Sequence, residues 1–421
     1  MKKLILLFIT GFAIACTVHA QGADSLATQT PAFNVDSATQ HYLDMLTPAQ
    51  KAKSDAYFEG GYWLLLWGTL YSLLVAGIFL LTGLSKWMKG LAARPGRKFV
   101  EPLIYIPLYI LISWVLSFPL SVYQDFYREH QYGLSNMTFS AWLTDGLKGL
   151  AIGLVFGSII GAILYSAIRA AGKTWWLWAS GISIVFVGFI VFITPVFLAP
   201  IFNKYEPLAP GELKNQILSM ARANEIPADN VYQFNASKQS DRISANVSGF
   251  GSTTRISLND NLLKRCTPAE IRSVMGHEMG HYVMNHVYKG LFEMSVLLVI
   301  MFALANWLFN LIIARYPNLG ITSIGDVAGL PLLAAIFTVM SFFFTPVTNT
   351  MTRTQEAEAD MFGLNAAREP DGEAHVDIML SEYRKLDPGK WEEIIFYDHP
   401  SGRNRVHMAM QWKAEHLHDC K

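Results

Sequence analysis

Long apolar stretches alternate with shorter polar blocks along most of the chain. The apolar stretches lie at residues 61–84, 102–123, 147–169, 175–200, 290–313 and 328–350. Each is long enough to cross a bilayer as a helix, which takes about 20 residues. The pattern predicts a mainly α-helical, polytopic membrane protein with six spans, or seven if an apolar N-terminal segment is retained.

The N-terminal segment combines two lysines, a short apolar run and a small-residue end. This arrangement predicts a secretory signal peptide at residues 1–20, followed by an exported polar segment beside the membrane at residues 21–60. The alternative is an uncleaved first membrane helix, because the length of the apolar run does not decide between the two.

Charges in the loops predict how the spans are oriented. The first loop carries five basic residues and the third carries two: Lys86, Lys89, Arg94, Arg97 and Lys98, then Arg169 and Lys173. Under the positive-inside rule these loops are cytoplasmic. The polar blocks at 201–289 and 351–421 then lie outside, on the periplasmic side of a bacterial inner membrane.

The composition agrees with a membrane protein and narrows its partners. Charged residues make up 16% of the 421 residues, against about 25% in typical soluble domains. Membrane lipids are therefore expected partners. The formal net charge is zero, which argues against nucleic acid as a partner. Three scattered cysteines do not form a disulfide framework or a cysteine metal site.

Titratable residues interrupt the apolar pattern at residues 273–286, SVMGHEMGHYVMNH. The preceding Thr267 and Glu270 form a predicted capping box, so a helix begins there and is expected to continue to about His286. His277 and His281 are four residues apart and share one helix face. Such a pair supplies two ligands of a catalytic zinc, and Glu278 can take a proton from water at the metal.

A third ligand is predicted in the segment TRTQEAEADMFG, residues 352–363. We interpret this segment as the start of an acid-rich helix. Glu356 and Asp360 share a face of it, whereas Glu358 points away. We therefore predict Glu356 as the ligand and Asp360 as the carboxylate that orients a ligand histidine. The alternative is an acidic helix N-terminus without a metal. His286 is expected to pack or hydrogen-bond rather than bind the metal.

Three segments resemble the Ste24-type CAAX prenyl proteases, integral-membrane zinc peptidases of family M48. They are GHEMGHYVMNHVYKG, TRTQEAEADMFG and TPVFLAPIFNKYEPLAPGELK, and the similarity extends from about residue 45 to the C-terminus. The resemblance implies one Zn²⁺ per chain, bound by His277, His281 and Glu356, with Glu278 as general base. It also implies a zincin-like α+β metallopeptidase domain and a chamber enclosed by the spans.

The same resemblance assigns roles to a late segment, YDHPSGRNR, residues 397–405. His399 would stabilise the oxyanion and Arg405 would hold the substrate backbone. One strand departs from the family, because Ser244 occupies the place of a substrate-contacting asparagine. Asn246 lies two residues along on the same face and could substitute. The surrounding residues predict a β-hairpin whose edge could pair with an extended peptide.

The predicted domains follow from these segments. Four spans occupy 61–200, the metallopeptidase domain 201–289, two further spans 290–350, and a C-terminal catalytic segment 351–421. The expected activity is metalloendopeptidase cleavage of a peptide or protein, with or without a lipid modification, near its C-terminus. A membrane quality-control protease would use the same residues. A non-catalytic receptor or transporter with a vestigial metal site is the alternative from another class.

Overall fold

The computed structural model describes residues 33–249 and 251–417. Residues 1–20, with the predicted signal peptide, lie outside the described residues, as does the first part of the predicted segment 21–60. The described helices are α1 Val35–Leu43, α2 Pro48–Leu81, α3 Leu84–Ala92, α4 Val100–Ser121, α5 Arg128–Gln131, α6 Phe139–Ala171, α7 Trp175–Ile193, α8 Ala199–Phe202, α9 Glu212–Ala223, α10 Asp260–Arg265, α11 Pro268–Val283, α12 His286–Arg315, α13 Leu330–Ala367, α14 Pro370–Leu380, α15 Lys390–Phe396 and α16 Gly402–Glu415. The strands are β1 Tyr205–Pro207, β2 Val231–Phe234, β3 Ala245–Ser248 and β4 Arg255–Asn259.

Five helical stretches among the described residues are long and apolar enough to cross a membrane. They are Pro48–Leu81, Val100–Gln131, Phe139–Phe202, His286–Arg315 and Val327–Ala367. The longest contains α6 and α7, which a short 3-10 turn separates. These stretches contain the predicted spans to within a few residues, so the polytopic helical architecture is confirmed. The number of spans stays a prediction.

The prediction that residues 352–363 begin a helix is wrong. These residues form the last part of α13, which runs without a break for 38 residues. Residues 351–362 contain no glycine or proline and are rich in good helix formers, so nothing ends the helix after the apolar stretch. One continuous helix, with Pro346 inside it, therefore carries both the last apolar stretch and the predicted ligand Glu356.

A small mixed sheet and three helices form the core of the predicted peptidase unit, residues 201–289 and 351–421. The strand order is β1-β2-β4-β3, with β2 and β4 parallel and the outer strands antiparallel to their neighbours. Apolar side chains of α9, α10 and α11 pack against β2 and β4 in one buried cluster. The hairpin of β3 and β4 confirms the predicted hairpin, and β3 lies at the edge of the sheet.

Glycines bring α11 and α13 into close contact. A Cβ atom added to Gly276 would lie 2.9 Å from the carbonyl oxygen of Gly363, and one added to Gly363 would lie 2.8 Å from the amide nitrogen of His277. A Cβ on Gly280 would lie 3.1 Å from the Cα of Ala359. Because no side chain separates the helices at these positions, residues on the facing sides of α11 and α13 meet directly.

The helix that carries the HExxH motif ends earlier than predicted. The capping box of Thr267 and Glu270 is present as expected, but α11 ends at Val283 rather than near His286. Asn285 adopts a left-handed conformation with φ of 58°, which asparagine tolerates better than most residues. The chain turns there, and His286 becomes the first residue of α12.

Candidate metal centre

The structure brings the three predicted ligands together. His277 and His281 project from α11, and Glu356 projects from α13 towards them. The two Nε2 atoms are 3.0 Å apart. Glu356 Oε2 lies 3.2 Å from Nε2 of His277, and Glu356 Oε1 lies 3.6 Å from Nε2 of His281. These spacings are close to the edges of a tetrahedron around zinc, about 3.3 Å for ligand bonds of about 2.0–2.1 Å.

The hydrogen bonds made by the Nδ1 atoms of His277 and His281 show whether their Nε2 atoms are free to bind a cation. His277 Nδ1 lies 2.7 Å from Asp360 Oδ1, so Nδ1 donates and Nε2 carries a lone pair. His281 Nδ1 lies 2.9 Å from His286 Nδ1, and His286 Nε2 lies 3.1 Å from Glu358 Oε2. His286 therefore donates to Glu358 and accepts from His281. Both ligand histidines then direct a lone pair at the same point as the Glu356 carboxylate, an arrangement that a metal cation satisfies.

The support behind His277 is buried and charged. Asp360 is fully buried and accepts from Arg405 Nε at 2.8 Å and Nη2 at 2.6 Å. The same guanidinium contacts Glu373 at 3.1 Å and Asp377 at 2.8 Å. Burial lowers the pKa of His277, but hydrogen bonds to carboxylates outweigh it and raise that pKa well above its ordinary value. The surroundings of this ring therefore favour positive charge at Nε2, which either a proton or a bound metal cation would supply.

This placement contradicts the predicted role of Arg405. The side chain is 7% exposed, and all three of its guanidinium nitrogens contact the carboxylates of Asp360, Glu373 or Asp377. The guanidinium is thus directed at buried carboxylates and not at the surface where a substrate would lie. Its contacts hold Asp360, and through Asp360 they hold the ring of His277 in place.

The support behind His281 is a chain of residues that the sequence did not assign to the centre. His286 is buried at 4% exposure and links His281 to Glu358. Lys289 Nζ then lies 2.8 Å from Glu358 Oε2. Both Lys289 and Glu358 are partly exposed. His286 packs and hydrogen-bonds as expected. Its contact with the predicted ligand His281 depends on the turn at Asn285. An asparagine that ends a helix is the one sequence feature that could have indicated this turn.

Glu278 lies on α11 between the two ligand histidines and is partly exposed. Burial and the nearby negative charge of Glu356 raise its pKa, while His277 and His281 act in the opposite direction. A carboxylate with a raised pKa is a better proton acceptor near neutral pH. The position and the chemistry of Glu278 therefore suit proton transfer at the centre.

His399 reaches the same centre from the loop between α15 and α16. Its Nε2 lies 3.2 Å from Glu356 Oε2, and its Nδ1 lies 2.8 Å from Asp398 Oδ1. Arg384, which precedes α15, places Nη2 3.3 Å from the same Nε2. Sequence reasoning missed Asp398 and Arg384. Asp398 is adjacent to His399 in the chain, but nothing in the sequence indicates Arg384.

The predicted substrate-binding pair lies on the hairpin and not in the ligand cluster. Ser244 is exposed and directly precedes β3. Asn246 is half-buried and accepts a hydrogen bond from the Ser248 hydroxyl at 3.0 Å. Among the described strands, β3 pairs only with β4, so its other edge is available to an extended peptide.

Two cavities lie in the helical body, and residues that contact His399 line one of them. A cavity of about 470 Å³ is bordered by Arg384 and Asp398. A larger cavity of about 860 Å³ lies among α2, α4 and α13. Tyr57, Gly61 and Thr345 line both cavities, so the two adjoin. The helices thus border open space beside His399's neighbours, and the enclosed chamber that the resemblance implied stays a prediction.

A helical membrane body joined to an HExxH centre defines this molecule as an integral-membrane metallopeptidase. Residues 34–204 match the model of the CAAX prenyl protease N-terminal region, with five membrane helices, and residues 207–413 match that of peptidase family M48. The chain belongs to peptidase family M48.

Similar proteins cover most of the chain. It is 32% identical to an uncharacterized metalloprotease, YhfN of Bacillus subtilis, over 82% of this chain and 80% of that protein. It is 28% identical to CAAX prenyl protease 1 of Saccharomyces cerevisiae over 75% and 73% of the two chains. The crystal structure of S. mikatae Ste24p has the same fold, with a TM-score of 0.71 at 22% identity, covering 89% of this chain and 95% of that one.

Proposed function

We propose that the protein is a zinc endopeptidase that uses His277, His281 and Glu356 as the metal ligands. The observation that carries this proposal is the convergence of their three ligand atoms, all within 4.8 Å of one another. Two nitrogens and one carboxylate are a common donor set of catalytic zinc sites. A zinc ion bound there supplies Lewis acidity, which lowers the pKa of water and polarises a carbonyl group.

The protein residues supply the proton transfers and the charge stabilisation. Glu278 accepts a proton from the attacking water and returns it to the amine that leaves. His399 faces the centre and stabilises the carbonyl oxygen as negative charge develops on it. The open edge of β3, near Asn246, holds the substrate as an added strand.

Replacement of the general base tests this mechanism. In the purified protein, Glu278→Gln should abolish peptide cleavage while leaving one zinc per chain, measured by elemental analysis. Glu415→Gln, at an exposed glutamate of α16, is the matched control and should retain full activity. Equal cleavage by the parent and Glu278→Gln would rule out the mechanism.

We propose further that the substrates are membrane-associated chains cut near the C-terminus, with or without a lipid. The relatives named CAAX prenyl protease 1 support this proposal, as does the cavity that extends among the apolar helices. Quality control of membrane proteins would use the same centre. Two peptides of one sequence, prenylated and unmodified, distinguish these readings. A preference for the prenylated peptide supports tail processing, and equal cleavage of both favours quality control.

We place the peptidase unit on the outer side of a bacterial inner membrane. The basic loops predicted to be cytoplasmic lie together, because Lys89 pairs with Asp326 at 2.8 Å and Arg169 donates to the Gly325 carbonyl at 2.9 Å. The other end of α2 contacts the peptidase unit through Tyr62, whose hydroxyl lies 2.8 Å from Glu392 Oε1.

Cysteine labelling of intact cells tests the orientation. With Cys16→Ser and Cys420→Ser in place, the exposed position in Lys390→Cys should react with an impermeant maleimide, whereas Lys98→Cys should react only after lysis. The native Cys266 contributes little background, because burial raises its pKa to about 11. The reverse labelling pattern would place the peptidase unit in the cytoplasm.

A further inference from the structure

Arg384 occupies a position at the metal centre that the mechanism above does not use. It lies between α14 and α15 and is half-buried. Its Nη2 atom is 3.3 Å from Nε2 of His399, the same atom that lies 3.2 Å from Glu356. The guanidinium is therefore two hydrogen-bond lengths from a predicted metal ligand.

Arg384 has no ion-pair partner among the described residues, although its charge acts on Asp398 at longer range and its guanidinium lies 5.9 Å from the Tyr383 ring centroid. Other arginines of the peptidase unit pair with carboxylates, as Arg242 does with Glu129 at 2.7 Å and Arg405 with Asp360 at 2.6 Å. Within residues 33–249 and 251–417, no carboxylate lies within 4.0 Å of the Arg384 guanidinium. A guanidinium carries several N–H donors, and the only side-chain hydrogen bond of Arg384 in that part of the chain is the one to His399.

Open space adjoins this cation. Arg384 and its neighbour Asp398 line the cavity of about 470 Å³, so a substrate group in that cavity can approach the guanidinium. Arginine stays protonated at all ordinary pH values. A fixed positive charge beside a partly buried reaction centre stabilises developing negative charge more than it does in water.

We propose that Arg384 is a further catalytic residue, which donates a hydrogen bond to the scissile carbonyl oxygen as that oxygen becomes negative. The inference rests on the proposed peptidase function and adds a second, permanently charged donor beside His399. Arg384 neither gains nor loses a proton in this role. Two other roles are distinguishable: binding the C-terminal carboxylate of a substrate, or only orienting the His399 ring.

Steady-state kinetics of Arg384→Gln and Arg384→Lys separate these roles. The substrate is an internal peptide with an amidated C-terminus, so that it presents no terminal carboxylate. We expect kcat of Arg384→Gln to fall about 10²–10³-fold with KM within twofold of the parent. Arg384→Lys should recover part of the loss because it restores the charge. Arg265→Gln, which removes a surface arginine paired with Glu382, is the matched control and should behave as the parent.

A binding measurement provides a readout independent of turnover. Affinity for a phosphinic peptide, which mimics the negatively charged oxygens of the transition state, should fall in proportion to kcat/KM in Arg384→Gln. Affinity for the substrate peptide, measured in the inactive Glu278→Gln background, should not change when Arg384→Gln is added. Zinc content should stay at one per chain in every variant.

The remaining outcomes would each overturn the inference. A raised KM with unchanged kcat, confined to substrates with a free carboxylate, would make Arg384 a specificity residue. Unchanged phosphinic-peptide affinity with reduced kcat would leave it only a positioning role. If the parent cleaves and Arg384→Gln cleaves equally well, the inference fails while the proposed function stands. If the parent binds zinc but cleaves no peptide, both fail.

Discussion

The two ligand histidines of one centre are held by opposite kinds of surroundings. Behind His277 lies a buried group of charges, in which Asp360 is 0% exposed and Arg405 is 7% exposed. Behind His281 lies a chain that ends at the surface, where Glu358 and Lys289 are each about one-third exposed. Neighbouring ligands on one helix face can therefore differ in how strongly the fold fixes them.

The difference has a physical cause in the packing of α11 and α13. Glycines bring the two helices into close contact beside His277, and the buried carboxylates there depend on the single guanidinium of Arg405 for a positive partner. The turn at Asn285 moves the chain away from that contact, and the support of His281 comes from the first turn of α12 instead. We expect the His277 side to affect both stability and metal affinity strongly, and the His281 side to affect metal affinity more weakly with little effect on stability.

The largest effect should come from Arg405→Met, which leaves three carboxylates buried without a cation. Loss of one partner from a buried ion pair costs about 3–5 kcal/mol. The purified protein should unfold at clearly lower denaturant concentration and lose its metal. Arg403→Met on the same helix is the control, because Arg403 pairs with an exposed Asp387 and such pairs contribute about 0–1 kcal/mol. Equal destabilisation by the two variants would remove the distinction between the sides.

Asp360→Asn should reduce metal affinity without the same loss of fold. The amide keeps the shape of the carboxylate but weakens the hydrogen bond that fixes the His277 tautomer. Changes of this kind cost about 10–100-fold in metal affinity. Competition with a zinc chelator measures the effect. If Asp360→Asn bound zinc as tightly as the parent, the buried charges behind His277 would have no influence on metal affinity.

Glu358→Gln should weaken zinc binding less than Asp360→Asn does, by about tenfold at most. The amide can still accept from His286, and solvent at this partly exposed position replaces some of the lost charge. The same chelator competition applies, with the unfolding midpoint expected to stay near that of the parent. A larger loss than in Asp360→Asn would reverse the ranking of the two sides.

Lys289→Met should have the smallest effect. Its pair with Glu358 is exposed, and such pairs contribute about 0–1 kcal/mol. The effect on zinc affinity should shrink further as salt is raised, because salt screens exposed charges. Chelator competition at low and high ionic strength checks this dependence. A large loss of zinc affinity that does not depend on salt would show that the contacts of Lys289 and Glu358 fix His281 as firmly as the buried charges fix His277.

The sequence predicted most of the centre because its chemistry lies in short-range patterns. The four-residue spacing of His277 and His281 fixes a shared helix face in any helix, and the capping box marks where that helix begins. The same spacing separates Glu356 from Asp360. These relations do not depend on the rest of the fold, so they survive in the structure.

The residues that sequence reasoning missed depend on contacts between distant parts of the chain. Arg384 reaches His399 across a loop. That no carboxylate among the described residues forms an ion pair with Arg384 can be seen only in the folded structure. Arg405 looked available for substrate because the sequence does not show that Asp360, Glu373 and Asp377 surround it. The left-handed turn at Asn285 directs His286 to His281. It depends on the backbone conformation of one residue, which the periodic pattern of apolar residues does not predict.

The unbroken course of α13 has a mechanical consequence for activity. About 39 Å of helix separates Leu330 from Glu356, at about 1.5 Å per residue. If the helix tilted as one body, a change of only one degree would displace the carboxylate of Glu356, the proposed metal ligand, by about 0.7 Å. A mismatch in bilayer thickness is one influence on helix tilt, so we expect the lipid surroundings to affect the position of this carboxylate.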